Sequence, residues 1–337
     1  MAILEIDRLD IRHRSVRGEA HTVENLSLSI ERGKSLGLVG ESGCGKSTVA
    51  KAVVGTLPST ARIVAGEVRF DGTDLLRLSP AALREYRWTK IALVPQTAMN
   101  GFDPVYRIDQ QLDETLRAHC DMPATERRAR LRSLFELVGI QPDRLKSYPH
   151  EFSGGMRQRA MIAMALMFNP PVLIADEPTT GLDVLVQDQI MQRIKVIQAE
   201  RGIAILLISH DMALVAENCD RIAVMYAGRI VELGGRDVMR RPFHPYTLGL
   251  RNAFPDVNEQ RSQLVAIPGA PPSLFDPPSG CRFRARCPFA TAICLQDPPL
   301  VEVGGNHLAA CHHVDKIDGL RVAAANPETW VKAAQIA

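Results

Sequence analysis

A glycine-rich run that ends in lysine, serine and threonine occupies residues 40–48, here called the phosphate loop. Its sequence fits the pattern G-x-x-x-x-G-K-[ST]. In such a loop the backbone N–H groups turn toward phosphate oxygens, Lys46 reaches the β- and γ-phosphates, and the Ser47 hydroxyl can bind Mg²⁺. The run therefore predicts a phosphate site formed by Gly40, Glu41, Ser42, Gly43, Cys44, Gly45, Lys46, Ser47 and Thr48.

Two acidic residues follow an apolar run at residues 172–175. A buried strand that ends in an aspartate places a carboxylate at the carboxyl edge of a sheet, where ligands bind in open α/β sheets. We expect Asp176 to complete the Mg²⁺ shell. Glu177 is the candidate for orienting or deprotonating an attacking water. Together with the phosphate loop, the acidic pair predicts nucleotide hydrolysis.

Strands and helices must alternate to position these groups. Apolar–polar alternation predicts short antiparallel strands over residues 1–34, and a buried strand at 35–39 and a helix at 47–54 should follow. Further strands are predicted at 66–70, 91–94, 172–175 and 203–208, with a mostly helical region over 108–168. This order indicates an α/β core with covered sheet faces.

The length of 337 residues predicts about two domains. The composition is that of a globular protein, because 46% of the residues are apolar and 23% are charged. The 40 basic and 38 acidic residues give a net charge of +2, which does not favour a nucleic-acid partner. No run approaches the ~18 apolar residues of a membrane span. Acidic residues near the N-terminus argue against a signal peptide, so we expect a cytoplasmic location.

Four of the seven cysteines fall in the last quarter of the chain, with the spacing C-x5-C-x6-C-x16-C. In a reducing compartment such a group indicates a metal centre rather than disulfides. The spacing matches neither paired zinc knuckles nor a compact ferredoxin motif, so zinc, an iron–sulfur cluster and no metal all stay open. Arginines between them are interpreted as balancing thiolate charge: Arg282, Arg284 and Arg286.

The string Tyr148-Pro-His-Glu-Phe-Ser-Gly-Gly-Met-Arg-Gln-Arg159 resembles the signature motif of ATP-binding-cassette (ABC) ATPases, in the variant of oligopeptide and dipeptide importers. The resemblance implies a P-loop NTPase nucleotide-binding domain over residues 1–254. That domain would have a RecA-like core, an antiparallel β subdomain and an α-helical signature subdomain at about 104–168. A Cys-rich C-terminal extension would occupy residues 255–337.

The same resemblance assigns further residues. Ser153, Gly154 and Gly155 would contact the nucleotide held by a second ATPase subunit. Asp183 matches the D-loop aspartate at the seam between the two subunits. Gln96 resembles the Q-loop glutamine that contacts Mg²⁺ and water and borders the membrane subunits, and His210 resembles the switch histidine that senses the γ-phosphate. Magnesium would thus be held through Ser47, Gln96 and Asp176.

The resemblance to the family includes the C-terminal segments, but the N-terminal region differs from the family pattern. Segments 241–250, 267–272 and 280–288 are similar to the extension of peptide-importer ATPases, which implies a [4Fe–4S] cluster on Cys281, Cys287, Cys294 and Cys311, with Zn²⁺ as the alternative. The family stacks an aromatic ring on adenine, but this chain has none before Phe70. The matching region offers His13, Arg17 and His21, so the adenine contact is unassigned.

The resulting hypothesis is an ATPase subunit of a bacterial-type importer of di- or oligopeptides, peripheral on the cytoplasmic face of the inner membrane. Its expected partners are a related, non-identical ATPase subunit, two transmembrane permease subunits and an extracytoplasmic solute-binding protein. Three alternatives are a soluble ABC ATPase of translation or DNA repair, an importer of nickel or glutathione, and a degenerate half that binds without hydrolysis. The intact Glu177 and His210 argue against the last.

Overall fold

A computed structural model of the chain describes residues 1–96, 101–253 and 266–336. Its strands are β1 (Ala2–Ser15), β2 (Gly18–Glu31), β3 (Ser35–Val39), β4 (Ala61–Phe70), β5 (Thr73–Asp74), β6 (Ile91–Val94), β7 (Val172–Asp176), β8 (Ala204–Ser209), β9 (Arg221–Tyr226), β10 (Arg229–Gly235), β11 (Val301–Gly304) and β12 (His307–Ala309). Its helices are α1 (Lys46–Val53), α2 (Pro80–Tyr86), α3 (Ile108–His119), α4 (Ala124–Leu137), α5 (Gly154–Ala165), α6 (Val184–Arg201), α7 (Met212–Asn218), α8 (Asp237–Arg240), α9 (Pro245–Ala253), α10 (Ile317–Ala324) and α11 (Pro327–Ile336).

The chain forms two compact units. The first contains residues Met1–Leu4, Ile30–Lys34 and Asp71–Ile208, and the second contains Glu5–Ser29, Ser35–Phe70 and Ser209–Ala337. Each unit therefore consists of three segments that are not contiguous in the sequence.

Three parallel strands form the centre of the first unit, in the order β8-β7-β6. All five residues of β7 are buried, as expected for an apolar strand covered on both faces. The register pairs Val94 with Ala175 and Asp176 with Ile208. Helices α3, α4 and α5 occupy the region predicted to be helical, and their buried residues include Leu112, Leu131 and Phe135. The prediction of strands at 91–94 and 172–175 is confirmed.

The sheet of the second unit has the order β11-β12-β10-β9-β3. Strands β3 and β9 are parallel, whereas the β9–β10, β10–β12 and β11–β12 pairs are antiparallel. In another sheet of the chain β2, β1 and β4 are neighbours in that order. Strands β1 and β2 have 14 residues each, so the sequence prediction of short strands over residues 1–34 was wrong in length. Continuous apolar–polar alternation lets one strand extend as long as it has a partner.

The hairpin of β11 and β12 is absent from the strands that the sequence predicts. Strand β12 pairs Leu308 with Leu233 of β10. Its His307 lies 2.7 Å, through Nε2, from a carboxylate oxygen of Glu232, a residue with no solvent exposure. The same carboxylate accepts the backbone N–H groups of Phe243 and His244. The hairpin thus supplies a polar partner to a fully buried carboxylate.

The predicted domain boundary between residues 254 and 255 lies outside the described residues. Among the helices that the structure describes, none is long and apolar enough to cross a bilayer.

Candidate nucleotide site

The phosphate loop lies in the second unit, between the buried strand β3 and helix α1. Its glycines are required where the backbone is left-handed and closely packed. Gly40 has φ +157°, and a Cβ atom there would lie 2.1 Å from the carbonyl oxygen of Met225. Gly45 has φ +111°, and a Cβ atom there would lie 2.4 Å from the carbonyl oxygen of Thr22. A side chain at either position would displace the loop from its neighbours.

Lys46 begins helix α1 and is 95% buried. Its ammonium group donates to the carbonyl oxygens of Gly40 at 2.7 Å and Glu41 at 3.0 Å. The loop therefore curls around the lysine, and the cation lies on the inner side of the curl. Ser42 and Gly43 at the tip of the loop are exposed, and Ser47 and Thr48 are half-buried. Burial raises the pKa of the neighbouring Cys44 thiol, so this side chain stays neutral.

The acidic pair lies in the first unit at the end of β7. Asp176 is its last residue and is buried, and Glu177 follows with φ +49°. The Gln96 side-chain amide donates to Oε2 of Glu177 at 3.0 Å, and the Thr180 hydroxyl donates to the same oxygen at 2.9 Å. The structure therefore brings together Gln96, Asp176 and Glu177, three residues that the sequence analysis assigned to magnesium and water.

The register of the sheet explains why Gln96 and Glu177 lie close together. Val94 of β6 pairs with Ala175 of β7, and Gln96 and Glu177 each lie two residues beyond their paired residue. Because the strands are parallel, both side chains emerge at the same edge. Thr180 was missed as a functional candidate, although its hydroxyl three residues after Glu177 was a usable signal. Residues 97–100, the remainder of the Q-loop motif, lie outside the described part of the chain.

The signature residues also lie in the first unit, at the start of α5. The Ser153 hydroxyl caps the helix by accepting the N–H of Met156 at 3.3 Å. A Cβ atom on Gly155 would lie 2.5 Å from a methyl group of Val186 on α6, so this glycine permits the close packing of the two helices. Asp183 caps α6 by accepting the N–H of Val186 at 2.9 Å. The signature and D-loop residues thus lie side by side.

The area around these two helix starts is open. Ser153 and Asp183 are exposed, and Val184 and Leu185, directly after Asp183, are 80% and 77% exposed. Backbone N–H groups at a helix N-terminus favour an anion. The arrangement provides an anion-attracting helix end beside exposed apolar side chains.

His210 and the predicted adenine region belong to the second unit. His210 is exposed and follows β8, directly before the helix cap Asp211. The predicted adenine region lies at the turn between β1 and β2, where Val16 is fully exposed and Arg17 is exposed. His13 and His21 lie in the flanking strands. The turn therefore presents an aliphatic and a cationic side chain where the family presents an aromatic ring.

The four C-terminal cysteines line one small cavity of the second unit, together with His312 and His313. A backbone hydrogen bond of 3.0 Å from Cys281 to Cys294 joins the first and third of them. Burial raises the pKa of Cys287, and it raises the pKa of Cys311 to about 11. Within the described residues, no three His, Cys, Asp or Glu side chains converge as ligands of one metal ion. None of the four cysteines forms a disulfide.

The predicted role of the arginines between these cysteines was wrong for two of them. Arg282 pairs with Glu24, and Arg286 pairs with Glu41 at 2.9 Å. Both guanidinium groups therefore balance carboxylates from other parts of the unit. The sequence analysis could not find these pairs because Glu24 and Glu41 are more than 240 residues away.

Two models of known protein families match this chain. A family model described as ABC transporter matches residues 23–180, and one described as oligopeptide/dipeptide transporter, C-terminal region, matches residues 231–294. These matches include the phosphate loop, the acidic pair, the signature residues and three of the four C-terminal cysteines.

Full-length relatives agree with the family models. The oligopeptide transport ATP-binding protein OppD of Escherichia coli is 43% identical over 92% of this chain and 93% of its own length. The dipeptide transport ATP-binding protein DppD of Bacillus subtilis is 42% identical over 87% of this chain and 88% of its own. A solved dimeric ATP-binding cassette in a post-hydrolysis state with ADP and phosphate matches with a TM-score of 0.63 and 25% identity, covering 69% of this chain and 98% of that one. The chain therefore belongs to the ABC transporter ATPases, in the branch that carries the oligopeptide/dipeptide C-terminal region.

Proposed function

We propose that this chain is the ATP-hydrolysing subunit of an importer for di- or oligopeptides. The observation that carries this proposal is the Glu177 carboxylate, held by Gln96 and Thr180 immediately after the buried Asp176. A fixed carboxylate beside a magnesium ligand is the arrangement that water activation requires. The two relatives described above are named for oligopeptide and dipeptide transport, and this supports the choice of cargo.

In this proposal each residue has one role. The backbone of residues 40–48 cradles the phosphates, and Lys46 leaves its two carbonyl partners to contact the β- and γ-phosphates. Ser47, Asp176 and Gln96 hold Mg²⁺, which neutralises charge on the phosphates. Glu177 accepts the proton of the attacking water, and His210 contacts the γ-phosphate.

We place the second nucleotide contact on another ATPase subunit. Ser153 is exposed at the start of α5, whose N-terminus favours an anion, and the exposed Val184 and Leu185 next to Asp183 suit a subunit interface. The partner is proposed to be a related, non-identical chain. The specific ATPase activity of the two chains together should then fall on dilution, and an isolated chain that hydrolyses ATP at full speed at every concentration would contradict the shared site.

The remaining partners are proposed from the same relatives. Two permease subunits would receive the motion of the Gln96 region, and a solute-binding protein outside the membrane would deliver the cargo. The chain would lie on the cytoplasmic face of the inner membrane. The chain is also proposed to consist of a nucleotide-binding domain (1–254, helical subdomain about 104–168) and a C-terminal extension (255–337).

A [4Fe–4S] cluster is proposed as the second cofactor, held by Cys281, Cys287, Cys294 and Cys311. The cavity that the four cysteines share supports this choice, and the thiols would lose their protons as iron binds. Each iron of a cluster takes its own cysteine, so the sulfur atoms need not converge on one point. Zn²⁺, the alternative, does need convergent ligands.

The cluster is tested by anaerobic purification with iron and sulfide assays and visible absorption. About four irons per chain should be lost in Cys287→Ser and kept in Cys120→Ser, because Cys120 lies outside the cysteine group. Stoichiometric zinc, or iron that survives in Cys287→Ser, would contradict the assignment.

The transport function is tested by affinity purification of the tagged chain from membranes, followed by reconstitution in proteoliposomes. Permease and second ATPase subunits should co-purify, and a peptide-loaded binding protein should stimulate ATP hydrolysis. Stimulation by nickel or glutathione but not by peptides would change the cargo. Recovery with ribosomes or DNA would contradict the transport role.

A further inference from the structure

Glu41, the second residue of the phosphate loop, is fixed through three of its groups. Its carbonyl oxygen accepts the Lys46 ammonium at 3.0 Å, and its N–H donates to the Tyr246 hydroxyl at 3.0 Å. Its carboxylate pairs with the Arg286 guanidinium at 2.9 Å. Tyr246 is completely buried on α9, so the peptide and the side chain of Glu41 are both held by the C-terminal third of the chain.

Arg286 is itself rigidly held. It is 6% exposed, and its Nε donates to the carbonyl oxygen of Pro268 at 2.8 Å. Its Nη1, which contacts Glu41, also donates to the Tyr226 hydroxyl at 3.3 Å, and the guanidinium lies 5.8 Å from the centre of the Tyr226 ring. It directly precedes Cys287 in the sequence. The position of this cation is therefore set before any nucleotide arrives.

A second arginine of the same segment supports the loop from another direction. Arg282, which follows Cys281, donates to the carbonyl oxygen of Ala227 and pairs with Glu24. Gly228, the residue after Ala227, donates its N–H to the carbonyl oxygen of Cys44 in the phosphate loop at 2.9 Å. The segment that carries the cysteines thus contacts Glu41 directly and Cys44 through one intervening turn.

Charge gives these contacts a consequence for nucleotide binding. The loop must accept several phosphate charges, and an unpaired carboxylate within it would repel them. We propose that Arg286 is a positioning residue of the phosphate loop: it neutralises the Glu41 carboxylate and holds this side chain in place, so that the cysteine-bearing segment sets the affinity for ATP. The inference rests on the proposed ATP-binding function and adds to it a residue outside the nucleotide-binding motifs.

The test is the affinity of the purified full-length chain for a fluorescent ATP analogue with Mg²⁺, measured for four variants. R286M should weaken binding roughly tenfold, within the range typical of coupling between sites. E41Q alone removes the carboxylate together with the need for its partner, and its affinity is the reference for the double variant. The double variant E41Q/R286M should bind more tightly than R286M and come within about threefold of E41Q. The control R32M removes the guanidinium of an exposed surface pair, Arg32 with Asp71, and it should leave affinity unchanged.

Recovery by the second substitution separates electrostatic positioning from simple support of the fold. If Arg286 only stabilised its own segment, E41Q would not repair R286M, and that result overturns the proposal, as does an R286M chain with unaltered affinity. Thermal unfolding without nucleotide identifies a variant that does not fold. In that case R286Q takes its place, since its amide can still donate to Pro268, and the same recovery by E41Q is required. An unaltered chain that binds no ATP would overturn the proposed function and this inference together, whereas an unaltered chain that binds ATP with no effect of Arg286 overturns the inference alone.

Discussion

The side-chain amide of Gln96 lies 3.0 Å from the carboxylate of Glu177, two residues beyond a register pair of adjacent parallel strands. The Thr180 hydroxyl donates a hydrogen bond to the same carboxylate oxygen. Glu177 therefore has a fixed orientation without nucleotide. A base that is held in place in advance loses little freedom when the reaction begins.

Replacing Glu177 by glutamine should stop turnover while preserving nucleotide binding. The amide keeps the size of the side chain but cannot accept the proton of water, so the steady-state rate of phosphate release should fall by roughly 10²–10⁴-fold. Thr180→Val is the matched control, because it removes one hydrogen bond to the carboxylate and leaves the base, and it should cost far less. An E177Q chain that hydrolyses ATP at the normal rate would remove Glu177 from the catalytic assignment.

Replacing Lys46 by alanine should strongly weaken ATP binding. The ammonium is buried among loop carbonyls and is the only cation within the described phosphate loop. Its loss should weaken the affinity by about 100-fold, equal to roughly 2.7 kcal/mol, because a buried charge–phosphate contact disappears. Lys51 lies on the same helix but is exposed, so Lys51→Ala is the control. Thermal stabilisation by MgATP should vanish in K46A and persist in K51A; equal behaviour of the two would contradict the assignment.

Two substitutions at Ser153 should separate its structural role from its proposed role at the partner's nucleotide. Ser153→Ala removes the cap of α5 and should lower the free energy of unfolding by about 1 kcal/mol. Ser153→Asp retains a capping oxygen but adds a negative charge where the phosphate is expected. We predict that S153D unfolds at nearly the normal temperature and yet loses ATPase activity in the assembled complex. If S153D were fully active there, the helix start would not face a nucleotide.

The stability of the second unit should depend on pH through Glu24. Burial raises the pKa of this carboxyl, but hydrogen bonds and charges of Arg229 and Arg282 outweigh burial and lower the pKa to about 2. A lowered pKa in the folded state stabilises the protein above the unfolded value of about 4.5, and this contribution is lost as the pH falls from there toward 2.

Glu24→Gln should therefore reduce the free energy of unfolding by about 2 kcal/mol at pH 7, and the difference from the unaltered chain should shrink below about pH 4.5. Urea or thermal unfolding at pH 7, 5 and 4 measures it. Glu19→Gln is the control, since Glu19 pairs with the exposed Arg62 in a surface salt bridge that contributes little. A difference that stays constant over this range would show that the charge of Glu24 is not responsible.

Local patterns were sufficient to predict the strands that carry the site. Uninterrupted apolar runs identified β3, β6 and β7, and their last residues placed the phosphate loop, Gln96 and Asp176 at strand ends. The hydrogen bond between Gln96 and Glu177 was not predictable, because it depends on the register of two strands that are about 80 residues apart. Periodicity defines which face of a strand is buried but carries no information about its partner.

The C-terminal part of the chain was harder to predict for a different reason. Strands β11 and β12 have four and three residues, too few for an alternating pattern to be distinctive. Their stability comes from their pairing with each other, from the pairing of β12 with β10 and from the contact of His307 with the buried Glu232. The pairs Arg286–Glu41 and Arg282–Glu24 likewise join distant residues. Sequence spacing correctly grouped the cysteines but could not show that Arg286, next to Cys287, reaches the phosphate loop.

The contact of His307 with Glu232 limits how this polypeptide can be shortened. A truncated protein that ended before residue 300, although it would keep every motif for ATP, would leave the Glu232 carboxylate in an apolar interior without its imidazole partner. Removing one partner of such a pair costs about 3–5 kcal/mol, a large share of the stability of a typical domain. Expression designs that aim at a minimal ATPase should therefore retain the hairpin or replace Glu232 by a neutral residue such as glutamine.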